Sequence, residues 1–209
     1  MWFPTPNWIR QRLLQVDGAG SGIDSDKLDG MESTAFALAG HTHGGGGLAG
    51  FSRGIPIHEC TVPNSGGATI EITEGNNFVY RKATFANAAT ESLYAQVAVP
   101  SGYLGVSLDV HLWWIASANS GNVLWALEHR KNPGSGAWDN ILDGPQTLVQ
   151  AVPGITGDLK RTTITITPDL DEGAGVVTLR LYRMGTDGLD SFTGTASVVM
   201  LLLEESTAS

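Results

Sequence analysis

The sequence predicts an all-β fold: a C-terminal antiparallel β-sandwich of jelly-roll type over residues 55–209, preceded by a short glycine-rich fibrous stalk. Three observations predict it. From Ile55 onward apolar residues recur with period two, most clearly where Leu104, Val106, Leu108, Val110 and Leu112 alternate with Gly105, Ser107, Asp109, His111 and Trp113. No long 3.6-residue period interrupts this series, and no short repeat of the kind that builds a β-helix recurs. Finally, 11 of the 27 glycines fall in residues 1–54, where apolar residues are too sparse for a self-sufficient core.

Taken in order, residues 1–16 form an aromatic peptide around two prolines and two arginines, with Trp2, Phe3, Trp8, Ile9 and Leu13 as its apolar anchors. Such a segment cannot make a core alone and needs a partner surface. A fold-back onto the chain's own body is the alternative. Residues 17–54 read as turns, DGAGSG at 17–22, LDG at 28–30 and GHTHGGGG at 40–47, and make the stalk. The head begins at Ile55. Its strands are predicted at 55–62, 68–73, 78–86, 92–99, 104–112, 122–130, 161–167, 175–183 and 195–204, separated by clusters such as NSGG at 64–67, EGNN at 74–77, NSGN at 119–122 and NPGSG at 132–136. In the strand at 175–183, Val177, Leu179 and Leu181 face the core, while Thr178, Arg180 and Tyr182 form an amphipathic outer surface. Residues 198–203 are apolar throughout, which predicts a strand covered on both faces, either centrally within the sandwich or between subunits. Trp114 and Trp125 continue apolar rows and belong to the core; Trp113 faces the other way, exposed or interfacial.

Charge narrows the function. The chain has 12 Lys and Arg against 21 Asp and Glu, a net of −9, which disfavours nucleic acid and anionic membrane surfaces as partners. Residues 55–209 carry eight basic and sixteen acidic residues, so the head holds −8 of that charge. No apolar run approaches a bilayer span, so membrane insertion is not expected. The single Cys60 supplies no intrachain disulfide.

Catalytic patterns are weak. No G-x-S-x-G, phosphate-binding loop or dinucleotide fingerprint is present. His58 and Cys60, two apart on a predicted strand, would share a face as base and thiol, although a small core residue is the simpler reading of Cys60. Asp139, Asp143, Asp158, Asp169, Asp171, Glu172, Asp187 and Asp190 have no spacing that selects an acid–base pair, and read as a solvated acidic surface. No enzyme activity is expected. The better candidate for ligand contact is Trp138 with Asp139 and Asn140 in the loop NPGSGAWDN, joined by Tyr103, because an indole beside hydrogen-bonding groups stacks a sugar face and binds its hydroxyls.

His41-Thr42-His43 is the sharpest local motif. In an extended segment both imidazoles point one way, and three chains about a threefold axis would offer six nitrogens to an octahedral transition-metal ion, iron or similar. Residues Val16-Asp17-Gly18-Ala19-Gly20-Ser21-Gly22-Ile23-Asp24-Ser25-Asp26-Lys27-Leu28-Asp29-Gly30, followed by this pair, resemble the shaft of tailed-bacteriophage tail fibres, with Lys27 the departure from the usual pattern. The resemblance covers about a sixth of the chain. It implies a homotrimeric virion appendage, docked on another virion protein through 1–16, with His41 and His43 holding a metal ion on the trimer axis. The head would then bind a host-surface glycan or protein. A head fibre, collar or decoration protein without a receptor fits the same trimer and stalk, and a polysaccharide depolymerase is the third alternative.

Overall fold

The computed structural model describes residues 51–99, 107–132, 139, 141–168 and 175–206. The chain divides into two units, Met1–Gly45 and Gly46–Ser209, and every described residue lies in the second. The elements are β1 (Ser52–Pro56), a 3-10 turn (Ile57–Glu59), β2 (Thr69–Glu74), β3 (Val79–Phe85), β4 (Thr90–Val99), β5 (Leu108–Ala116), β6 (Asn122–Asn132), β7 (Asp143–Ala151), β8 (Lys160–Ile166), β9 (Gly175–Met184) and β10 (Ala196–Glu205). They form two antiparallel sheets. One has the order β2-β3-β10-β5-β8 with β1 also on β10; the other is β4-β9-β6-β7. Every connection from β3 to β10 except β6–β7 crosses between the sheets, which makes the body a β-sandwich of jelly-roll type.

Alternation builds the core as expected. Leu108, Val110, Leu112 and Trp114 of β5 meet Val123, Trp125 and Leu127 of β6, all buried. The Trp114 and Trp125 rings stand edge to face at 5.6 Å, and Phe85 meets Trp125 at 5.3 Å. Trp114 Nε1 donates to Thr162 Oγ1 at 2.9 Å, so its polar tip is satisfied inside.

Four expectations are corrected. The strand at 55–62 is instead β1 followed by the 3-10 turn, with Cys60 N donating to Ile57 O at 3.2 Å. The turn rotates the chain between His58 and Cys60, so the imidazole is exposed and the thiol buried rather than side by side. Strand β7 was not predicted, because Pro145 and a lack of alternation hide an exposed edge strand. Residues 198–203 are not covered on both faces: β10 is central, but a bulge between Val198 and Met200 resets its alternation and leaves Met200 42% exposed. Finally, Ser52–Gly54, placed at the end of the stalk, belong to β1 of the sandwich.

Strand β10 changes partner along its length. Its first residues pair with β3, through Ala196↔Phe85, and its later ones with β1, from Met200↔Pro56 to Glu204↔Ser52. Phe51 O accepts a hydrogen bond from Glu205 N at 3.0 Å just beyond that ladder.

Candidate functional site

Strands β4, β6 and β9 each place one row of side chains outside the sandwich, and these rows meet because Tyr94 registers with Arg180 and Arg180 with Glu128. Together with Asp139, Ile141 and Leu142 they line a cleft of about 670 Å³, whose other lining residues are Tyr94, Gln96, Glu128, Arg130, Asn132, Thr178 and Arg180. Arg180 is its fixed centre. Its Nη1 lies 3.0 Å from Glu128 Oε2, its Nε donates to Ser92 Oγ at 3.0 Å, and its guanidinium lies 4.7 Å from the Tyr182 ring and 5.9 Å from the Tyr94 ring. Tyr182 donates its hydroxyl to the other Glu128 oxygen at 3.1 Å. Burial, then the Glu128 carboxylate, pushes the Tyr182 hydroxyl up to about 12, so it stays a donor at neutral pH. Arg130 Nη1 donates to Ile141 O at 2.8 Å and ties Ile141 to the sheet.

The arrangement combines an aromatic face with a rigid row of donors and acceptors, open to solvent on one side. That is chemistry for binding a polyhydroxylated ligand by stacking and hydrogen bonds. Of the residues chosen from sequence for ligand contact, Asp139 is exposed and lines this cleft. Trp138, Asn140 and Tyr103 lie outside the described residues, as do His41, His43, Trp2, Phe3, Trp8, Ile9 and Leu13. Sequence reasoning marked Thr178, Arg180 and Tyr182 as an outer face but missed Tyr94, Glu128 and Arg130. Their outward rows become one surface only once strand register is known.

The outer face of the larger sheet carries a second polar cluster. His111, 2% exposed, meets Thr163 Oγ1 through Nδ1 at 2.7 Å and Glu204 Oε1 through Nε2. Arg161 covers it, stacked 5.6 Å from the half-buried Trp113 ring. These groups satisfy one another. A third ion pair is internal: Asp190, expected in the solvated acidic surface, is buried with Arg183 at 2.7 Å, both side chains at 0% exposure. Burial, then Glu59, pushes the Cys60 thiol up to about 11, so it is not a poised nucleophile. Among the described residues no three or more His, Cys, Asp or Glu converge as a metal site, and no helix is long and apolar enough to cross a membrane.

No protein-family model and no curated protein matches the chain. Among solved structures it is similar to a family 35 carbohydrate-binding module from Clostridium thermocellum, at 11% identity and TM-score 0.47 over 74% of this chain and 98% of that one. A carbohydrate-binding module from Cellvibrio mixtus lichenase 5A, in complex with cellotriose, matches at 13% identity and TM-score 0.41 over 74% and 97%. An exo-β-1,3-galactanase from Phanerochaete chrysosporium matches at 11% identity and TM-score 0.42; 73% of this chain aligns, spanning 29% of that enzyme. These values assign the chain to no family.

Proposed function

We propose that the chain is a homotrimeric bacteriophage virion appendage of the tail-fibre kind, whose head binds a host-surface glycan in the cleft on the four-stranded sheet. The observation that carries the glycan assignment is the row of Tyr94, Arg180 and Glu128 in one open cleft, with the buried Tyr182 holding Glu128 through its hydroxyl. An acidic head favours recognition by stacking and hydrogen bonds over attraction to a phosphate-rich surface. The stretch at 16–30 supports the appendage assignment, with residues 1–16 as the contact to another virion protein.

His41 and His43 would hold the metal ion. Two imidazoles from each of three chains make six neutral nitrogen donors, a set that fits an octahedral transition-metal ion such as iron. When bound, the ion supplies a link between the three chains. Each of these side chains must be deprotonated to ligate, so the link is expected to weaken in acid.

A glycan array probed with the full chain tests the head. Binding that Arg180→Ala removes, with the fold intact by circular dichroism, is expected; a blank array on host-derived glycans would leave a structural appendage without a receptor. Native mass measurement tests the rest. A trimer that loses its metal when both His41 and His43 become Ala is expected, and a monomer would refute shaft and metal together.

A further inference from the structure

We propose that the heads of the trimer touch one another through the β2–β3 hairpin, with Ile72 and Val79 packed against a neighbouring copy and Arg81 paired with that copy's Glu74; this rests on the trimer proposed above. The two faces of the hairpin differ. On its outer face Glu71 accepts from Thr84 Oγ1 at 2.8 Å and pairs with Lys82 at 3.2 Å, so the polar groups there satisfy one another. The opposite face is the core-facing row of the sheet, in which Ile70 lies opposite Ala83, Ile72 opposite Arg81 and Glu74 opposite Val79. Ala83 is buried and Ile70 packs against the core. Toward the turn the same row runs out from under the sandwich: Ile72 is 60% and Val79 63% exposed, and Phe78 in the turn is 68% exposed. Glu74 and Arg81 are exposed as well, and neither makes an ion pair among the described residues.

A core-facing row that continues into solvent with its aliphatic side chains uncovered marks a contact surface. Ile72, Val79 and Arg81 also wall a notch of about 390 Å³ against Pro56, Ile57 and His58, so the surface is concave as well as apolar. Its charge selects the occupant. One acid and one base flank two aliphatic side chains, so the face is complementary to a second copy of itself: each Arg81 can meet a neighbour's Glu74, and in a closed threefold ring all such pairs form at once. A head of net −8 repels its like, and a contact whose own charges cancel is where two heads can approach. Topology supplies the proximity. Strands β1 and β3 both run antiparallel to β10, so the turn between β2 and β3 lies at the end of the sheet where the chain enters at Ser52. Three chains joined through residues before Ser52 would hold three hairpins at one place. The cleft lies on the other sheet and shares no lining residue with the notch.

The test is chain-to-chain cross-linking of the full chain bearing Val79→Cys, with a short bismaleimide and denaturing electrophoresis. Ile155→Cys, 65% exposed in the loop between β7 and β8 at the opposite end of the sandwich, is the control, and the native Cys60 is buried. Val79→Cys should link chains at about tenfold the rate of the control or faster. Adding Arg81→Glu, which sets carboxylates against each other, should cut that rate about tenfold, and Glu74→Arg in the same chain should restore it, because the pair is then only inverted. A rate no higher than the control, or one that Arg81→Glu leaves unchanged, in a chain that is trimeric by native mass measurement would overturn the hairpin contact and leave the trimer standing. A thiol at position 79 that is shielded from a monofunctional maleimide without linking chains would put a different occupant on the hairpin and overturn the second copy. A monomer would overturn both.

Discussion

At the end of the sandwich where β3, β5, β7 and β9 finish, the turns are knitted into the core; toward the end where β4, β6 and β8 finish, the described outward side chains of β4, β6 and β9 line a cleft open to solvent. At the first end Arg183 reaches from β9 to Asp190 with two bonds and to the carbonyls of Phe85, Phe192 and Gly194, while Asp190 also accepts Leu124 N at 3.1 Å. Ser117 and Thr195 close on each other, and Phe192 N donates to Asn122 O. Toward the second end lies the cleft, whose Arg180–Glu128 pair keeps 31% and 19% exposure. The contrast teaches that the same residue type, an arginine on an antiparallel strand, fixes the fold when its ion pair is fully buried and leaves its surroundings open to a ligand when the pair stays partly in solvent.

The largest expected effect breaks the first end. Asp190→Ala leaves Arg183 buried without its counter-charge and should cost about 3–5 kcal/mol in denaturant unfolding. Replacing both, Arg183→Met with Asp190→Leu, should cost less than either change alone, because no charge remains stranded; an equal or larger loss would show that the carbonyl partners matter more than the pair. Next is Gly121→Ala. Gly121 has φ +107°, and a Cβ there would sit 2.9 Å from Phe192 Cα, so a loss of about 1–3 kcal/mol is expected by thermal or denaturant unfolding.

At the cleft end, Arg180→Ala should cost about 1 kcal/mol or less of stability yet abolish glycan binding. A large stability loss there would erase the distinction between the ends. The smallest effect is a pH profile. Tyr182 holds its proton more tightly folded than unfolded, so stability should fall as pH rises from about 10 towards 12, where the unfolded chain ionises first. Tyr182→Phe should flatten that part of the profile.

Much of this architecture is readable from residues. Period-two rows located β2–β6, β8 and β9, an unbroken apolar run located β10, and the rows named Trp114 and Trp125 as core, since a buried face needs an apolar side chain at every second position. What escaped lacks that signature. Strand β7, with GPQTL at 144–148, is held by pairing with β6 while Leu148 alone among its side chains packs against the core, so burial left too little pattern to read. Asp190 looked like its acidic neighbours because its partner, Arg183, becomes buried only when the loop folds under the sheets. The cleft was half legible: the outer face of β9 was marked, but Tyr94 and Glu128 come from strands whose order, β4-β9-β6, does not follow the chain.

The closure of β1 onto β10 has one further consequence. Ser52 lies opposite Glu204, and Phe51 O holds Glu205 N, so the polypeptide enters and leaves the sandwich at a single point. A module with adjacent ends is portable: it can be exchanged for another, or inserted within a foreign chain, without rethreading what lies on either side. The cleft, lined by residues of the sandwich alone among those described, would travel intact in such an exchange.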